Sequence, residues 1–405
     1  MTNSTDNAPI LLAYSGGLDT SFCVPWLKET YGRPVITACV NTGGLDAAAV
    51  KSLEDRAMAL GASEHVLIEA RDIFFNRVIK YLIAGNVRRG QLYPMCVGAE
   101  RGIQATLLAE LAKERGTATV AHGCTAAGND QVRFEVALKT INPGLDIIAP
   151  VRDQAFIREE QIKYLEAGNY PLPPAGAKYS INRGLWGISI GGKETLTSAN
   201  TIPEDSWVLS AGAFENPQAP MELIIGFECG VPVSINGTTM TPVELIEKLE
   251  HIAGGYGIGR GIHLGDTVLG TKGRVAFEAP AAEILLTAHR ELEKLVLSSL
   301  QMTIKETVSL HYGNYVHEGK QLDPVCRDIE ALLDSSQQRV TGTVKLKLRP
   351  GSLFIEGVES DYSLMAATKS VYGESAGEWT ARDALGYSTV LSLSGMLHTR
   401  AGQKK

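Results

Sequence analysis

No stretch of the 405 residues approaches the roughly 20 consecutive apolar residues that a membrane-spanning helix needs, so no membrane association is expected. The six cysteines (Cys23, Cys39, Cys96, Cys124, Cys229 and Cys326) lie far apart with no CxxC pair. That spacing argues against a zinc site or a disulfide framework and fits reduced, mostly buried thiols, and no residue is nominated as a ligand of a resident metal. Basic residues are outnumbered, 38 Lys and Arg against 45 Asp and Glu, for a net charge of −7, and no long basic block occurs, which speaks against a nucleic-acid partner. Met1-Thr2-Asn3-Ser4-Thr5-Asp6 has no basic region followed by an apolar core, so it does not read as a signal peptide and the expected location is cytoplasmic. The remaining composition, 44% hydrophobic and 20% charged, is that of a soluble globular protein with length for two or three domains. There is no internal repeat and no low-complexity tract.

What is present begins with Ala13-Tyr14-Ser15-Gly16-Gly17-Leu18-Asp19-Thr20-Ser21, placed between the apolar run Ile10-Leu11-Leu12 and a helix-like stretch. A glycine-rich turn of this kind lets backbone N–H groups approach an anion, adds the hydroxyls of Ser15, Thr20 and Ser21, and borrows the positive end of the following helix. It contains no lysine, so it is not a GxxxxGK[ST] loop, and its glycine spacing is not that of GxGxxG. The pattern matches Ser-Gly-Gly-x-Asp-[Ser/Thr], the signature of the PP-loop ATP pyrophosphatases, which cleave ATP between its α- and β-phosphates.

The first 150 residues alternate candidate strands (Ile10–Tyr14, Val35–Val40, Glu64–Ile68, Thr117–Ala121, Asp146–Ile148) with helical stretches near 21–30, 46–60, 72–83 and 98–115. This rhythm predicts a doubly wound parallel sheet with its ligand site beyond the carboxyl ends of the strands, where Tyr14–Ser21, Asn41–Gly44 and His122–Asp130 should converge. A helix over Arg158–Ala167 and the proline-rich Tyr170–Gly176 follow, the latter a domain boundary. Beyond it the periodicity becomes that of antiparallel strands. Leu223–Glu228 and Val231–Ile235 flank Cys229-Gly230 as a hairpin, Val340–Leu348 alternates, and Pro350-Gly351 turns into Leu353–Val358. Thr241-Pro242-Val243-Glu244 is a capping box opening a helix to about Ala253, and Ala281–Leu300 reads as one long amphipathic helix. The tail from Ala381 to His398 carries Leu385, Tyr387, Leu391, Leu393 and Leu397, too isolated to bury itself, and so suited to docking on another subunit. The fold class is therefore α/β: a doubly wound parallel-sheet nucleotide-binding domain (1–170), a second α+β domain (171–375) and a C-terminal helical arm (376–405).

A second constellation follows the fourth strand, His122-Gly123-Cys124-Thr125-Ala126-Ala127-Gly128-Asn129-Asp130-Gln131-Val132-Arg133-Phe134-Glu135. Its small residues bring backbone close to a ligand, while hydroxyl, amide, carboxylate and guanidinium groups suit a zwitterionic amino acid. The two motifs together, with Ala38–Gly43, Tyr179–Asn182, Trp186–Ser189, Gly257–Arg260 and Gly273–Pro280, resemble the argininosuccinate synthase family over most of the chain. The resemblance implies condensation of L-citrulline with L-aspartate through a citrullyl-adenylate, giving argininosuccinate, AMP and pyrophosphate, with ATP as substrate and Mg²⁺ on its phosphates. It further implies ATP contacts at Ala13, Tyr14, Ser15, Gly16, Gly17, Leu18, Asp19, Thr20, Ser21, Val40 and Gly123, of which Ser15, Asp19 and Thr20 would act in catalysis. Aspartate contacts fall on Thr125, Asn129 and Asp130, citrulline contacts on Asn129, Arg133, Ser180 and Ser189, and the C-terminal helix would help build a homotetramer.

The chain departs from the family pattern on the citrulline side. Gly85-Asn86-Val87-Arg88-Arg89-Gly90-Gln91-Leu92-Tyr93-Pro94 replaces the usual run, with Arg89 and Tyr93 as the candidate contacts; a glutamate expected near His263–Asp266 falls on Gly265, and an expected tyrosine is Phe277. His263 and Asp266 are candidate substitutes, and Phe277 suits a core position equally. Other adenylating PP-loop enzymes of amidotransferase or tRNA-modifying type, and a non-catalytic nucleotide-binding relative, are the alternatives. The first would bring a glutaminase or a basic domain, and the last would be expected to have lost part of the loop.

Overall fold

Ile10, Leu11 and Leu12 are fully buried, the condition of a central strand covered on both faces. In the computed structural model, which describes residues 8–173 and 179–403, they form β1 (Ile10–Ala13). The N-terminal Met1–Asp6 and residues 174–178 of the proline-rich stretch lie outside the described residues. With β2 (Val35–Asn41), β3 (Glu64–Glu69), β4 (Thr119–His122) and β5 (Asp146–Ile148), β1 builds a parallel sheet in the order β3-β2-β1-β4-β5. Helices Leu18–Tyr31 and Arg158–Ala167 cover one face through Phe22, Leu27 and Leu165; helices Arg101–Glu114 and Asp130–Ile141 cover the other through Leu108, Leu111 and Leu138. The strand order reverses between β1 and β4, so a crevice opens beyond their carboxyl ends.

Two expectations about this unit change. The sequence suggests no helix between 122 and 146, yet Asp130–Ile141 is helical, because Phe134, Ala137 and Leu138 recur at helical spacing and are buried on the sheet. The helical run near 72–83 forms as Arg71–Phe74 and Lys80–Ala84 joined by a π-helical turn, but it leaves the parallel sheet. Phe74, Phe75, Val78, Ile79, Leu82 and Ile83 are all buried, more apolar surface than one helix face presents to a sheet, and they join Leu223, Ile246 and Leu285 in the core of the second unit.

In that second unit β6 (Ser180–Gly184), β7 (Gly187–Gly191), β8 (Met221–Glu228), β9 (Val231–Ile235), β10 (Thr238–Thr239), β11 (Arg260–Asp266), β12 (Lys272–Glu278), β13 (Gly342–Arg349) and β14 (Ser352–Glu359) make two antiparallel sheets, β11-β12-β7-β6 and β10-β9-β8-β13-β14. The β8–β9 hairpin turns at Cys229 and Gly230, whose φ angles of 47° and 77° suit a two-residue turn of the kind that matches strand twist. Val344, Leu346 and Leu348 of β13 are fully buried, as their alternation predicts. Thr241 caps the helix Pro242–Gly254 in a full capping box. The single helix expected over 281–300 is instead Pro280–Val296, followed by Ser299–His317, because Ser298 accepts from the Gln301 N–H at 3.3 Å and starts a new helix. The helix Ala381–Gly402 ends the described chain, with Leu385, Tyr387, Val390 and Leu391 exposed. Among the described residues no helix is long and apolar enough to cross a membrane.

Candidate active site

The turn from β1 into the helix Leu18–Tyr31 has Gly17 at the N-cap, with no side chain capping the first turn. The Leu18, Asp19 and Thr20 N–H groups therefore face outward at the positive end of the helix, a site built for an anion. Thr20 Oγ1 lies 3.2 Å from Ser15 Oγ and donates to the Gly17 carbonyl at 3.3 Å, closing the turn on itself. Gly16 has φ +72°, which favours glycine, and its carbonyl accepts from Arg56 at 2.7 Å. The loop after β4 presses close: a Cβ on Gly123 would stand 3.1 Å from the Thr20 nitrogen.

Beyond these strand ends lies a cavity of about 670 Å³. Ala13, Tyr14, Ser15, Gly17, Asp19 and Thr20 form one wall and Val40 another. Gly123, Thr125, Asn129 and Asp130 line the side toward β4, and Ser180 and Asn182 of the second unit close it. Gly16, Leu18 and Ser21 do not line this cavity; Leu18 and Ser21 are buried beneath the turn, so of the loop's three hydroxyls only those of Ser15 and Thr20 reach the ligand space.

A string of ion pairs runs from this cavity into a second one. Thr42 Oγ1 donates to Glu100 Oε2 at 2.7 Å, and Arg101 donates to Glu100 Oε1 at 2.8 Å and to Asp130 Oδ2 at 2.9 Å. Arg133 then donates to Asp130 Oδ1 and to the His317 carbonyl, both at 2.8 Å. Burial pushes the Glu100 carboxyl up to about 7 despite Arg101 and Thr42. Burial acts the same way on Asp130, but the Arg101 and Arg133 guanidiniums outweigh it and hold that carboxyl at about 2.

The second cavity, about 230 Å³, shares Asn129, Asp130, Arg133 and Asn182 with the first and adds Arg89, Tyr93, Ser189, His263, Asp266, Arg274 and His317. Tyr93 stacks on His263 with ring centroids 5.4 Å apart and 17° between planes, while Phe277 packs behind Tyr93 as a buried core residue. His317 sits between two guanidiniums: Arg89 approaches Nε2 at 2.7 Å and Arg133 approaches Nδ1 at 3.1 Å. Burial and then those two cations push its imidazole down to about 3, so it is neutral.

The nominated ATP and aspartate residues thus meet around one cavity apart from Gly16, Leu18 and Ser21, whereas Ser180 and Ser189 fall in different cavities separated by Asn182. Arg133 is less available than its sequence position suggests, since Asp130 and His317 already occupy much of its fork. Sequence reasoning did not find Glu100, Arg101, Arg274 or His317. The Glu100-Arg101 pair carries no motif, and His317 is merely the last residue of a long helix until the fold sets it against Arg133.

Two family models match the chain: the arginosuccinate synthase N-terminal HUP domain over residues 9–171 and the arginosuccinate synthase C-terminal domain over residues 179–398. Similar proteins include the argininosuccinate synthase of Methanocaldococcus jannaschii, 40% identical over 87% of this chain and 89% of that protein. Those of Dictyoglomus turgidum and Bacillus thuringiensis are 38% and 36% identical, each over 98% of both chains.

Proposed function

The chain belongs to the argininosuccinate synthase family, and on that premise we propose that it is an ATP-dependent ligase of arginine biosynthesis, joining L-citrulline to L-aspartate and releasing argininosuccinate, AMP and pyrophosphate. The observation that carries this reading is the uncapped helix start at Gly17 opening into the same cavity as Thr125, Asn129 and Asp130, with a second polar cavity joined to it through Arg133.

In this mechanism the ureido oxygen of citrulline attacks the α-phosphorus of ATP, the bond to the β-phosphate oxygen breaks, and pyrophosphate leaves. The Ser15 and Thr20 hydroxyls and the first-turn N–H groups stabilise the charge that grows on the leaving group. The amine of aspartate then adds to the ureido carbon, the carbon–oxygen bond to AMP breaks, and a phosphate oxygen of the adenylate takes the amine proton. Thr125, Asn129 and the ionised Asp130 receive aspartate; Asn129, Arg133, Ser180 and Ser189 receive citrulline. Ala13, Tyr14, Gly17, Val40 and Gly123 shape the nucleotide's berth, while Gly16, Leu18 and Ser21 support the loop from beneath.

Mg²⁺ would be carried on the ATP phosphates, with Asp19 on the cavity wall as its protein partner. When bound, the cation would supply charge neutralisation on the departing pyrophosphate. The exposed apolar residues of Ala381–Gly402 support assembly through this arm, as a homotetramer; the proposed divisions are 1–170 for the nucleotide unit, 171–375 for the synthetase unit and 376–405 for the arm, with Phe74, Val78, Leu82 and Ile83 of the first packed into the core of the second. A cytoplasmic location accords with this biosynthetic role. Incubation with ATP while citrulline and aspartate are omitted in turn tests the reading: AMP and pyrophosphate should both require citrulline, and argininosuccinate should require both amino acids. Equal AMP yield with glutamine in place of citrulline would refute it.

A further inference from the structure

We propose that the second cavity binds the far end of the ureido substrate as an anion and offers no free carboxylate to an α-ammonium, so that a ureido carboxylic acid without the α-amino group is used at least as well as citrulline. This rests on the ligase reading above and concerns which ureido compound it takes.

Charge around the cavity is one-sided. Arg89 and Arg133 bring guanidiniums to it, Arg274 lines it while its own guanidinium donates to the Glu194 and Thr197 carbonyls at 3.0 and 2.6 Å, and two imidazoles, His263 and His317, stand beside them. Only two carboxylates reach it: Asp130, held between Arg101 and Arg133 and given above to the aspartate substrate, and Asp266, paired with Lys272 at 2.5 Å on the exposed rim. An ammonium placed there would meet cations without an unclaimed carboxylate to offset them.

Around His317 acceptors are in short supply. A guanidinium only donates, and a neutral imidazole accepts at one nitrogen, yet both nitrogens of His317 face guanidinium N–H groups at 2.7 and 3.1 Å. One of these approaches sets donor against donor, and a carboxylate seated between Arg89 and Arg133 would supply the missing acceptor. His263 Nε2 is buried with no hydrogen-bond partner, a second group awaiting a ligand. Its place is kept by glycine on both sides, since a Cβ on Gly265 would lie 2.5 Å from Nε2 and one on Gly90 3.0 Å from Cε1. A side chain at 265 would therefore have to displace the His263 ring from its place on Tyr93.

The test measures AMP formation by the unmodified protein with ATP and aspartate, supplied with either L-citrulline or 5-ureidopentanoate, which is citrulline without its α-amino group. The inference predicts that kcat/KM for 5-ureidopentanoate equals or exceeds that for L-citrulline. It also predicts that Arg89→Gln lowers the former by about 30-fold, the loss of one charge-assisted contact, mainly through KM and with the KM for ATP changed less than about threefold. A preference for L-citrulline beyond about threefold overturns the inference and leaves the ligase reading intact. An Arg89→Gln variant whose ATP and ureido-acid KM values rise together would mark Arg89 as merely structural and overturn it as well. Absence of AMP with both acids refutes the ligase reading itself, and the inference with it.

Discussion

Replacing Arg133 by lysine isolates the residue that divides the two cavities. Its side chain is 8% exposed and makes three contacts, to Asp130 Oδ1, to the His317 carbonyl and to His317 Nδ1. A lysine ammonium spans one of these and leaves the others without the guanidinium. Two lost charge-assisted bonds at about 1.5–3 kcal/mol each set the scale, and the retained positive charge near Asp130 keeps the expected destabilisation at the low end, about 3 kcal/mol. The pH dependence has a definite sign. Asp130 is held at about 2, below its ordinary 3.8, so its contribution is present above 3.8 and lost as pH falls through 2. Weakening one of the guanidiniums that hold it down shrinks that contribution, so R133K should cost more stability at pH 7 than at pH 2. Urea titrations at both pH values, with steady-state KM for ATP and for the ureido substrate, would measure this. A loss below about 0.5 kcal/mol at pH 7, as for an ordinary surface change, would refute the reasoning.

Glu100, raised to about 7 by burial from an ordinary 4.5, favours folding below 4.5 and loses that contribution as pH rises through 7, a swing of about 3 kcal/mol. Glu100→Gln should therefore reduce the fall in urea midpoint between pH 4.5 and 8, and an unchanged slope would count against the assignment. Gly123→Ala places a methyl 3.1 Å from both the Asp19 carbonyl carbon and the Thr20 nitrogen, so the KM for ATP should rise by about tenfold with little change in urea midpoint; the reverse pattern would make Gly123 a packing residue only. Ser15→Ala removes one donor from the loop and should lower kcat by about ten- to a thousand-fold, as measured by AMP release. Deleting residues 381–405 should lower the molecular mass seen by light scattering, and an unchanged mass would exclude the arm from assembly.

The parallel sheet was legible because its strands are short apolar runs with glycine-rich exits, and the loop at Ser15–Thr20 because its chemistry is local in sequence. The break after Val296 was also written locally: Ser298 and Gln301 form a capping box inside what periodicity alone extends as one helix. Strands β6, β7, β11 and β12 were not legible, since glycines at 184, 187, 191, 261, 265 and 273 dilute their alternation. The helix Asp130–Ile141 was hidden for a related reason, its first turn being filled with polar groups that the site uses. The second cavity could not be foreseen as a unit. Arg89, Arg133, His263 and His317 come from four distant segments, and only folding shows two guanidiniums converging on one imidazole. The departures at Gly90, Tyr93, Gly265 and Phe277, scattered in sequence, become one packed group around His263, with Tyr93 stacked on the imidazole and Phe277 behind it.

The central claim is that the Ser15–Thr20 loop holds pyrophosphate as a leaving group while a ureido oxygen attacks the α-phosphorus. Citrulline carrying ¹⁸O in its ureido group tests it directly, by mass spectrometry of the nucleotide and phosphate products after complete turnover with ATP and aspartate. The account predicts one ¹⁸O atom in each AMP formed and none in pyrophosphate, whereas label in inorganic phosphate, or ADP as the nucleotide product, would contradict it.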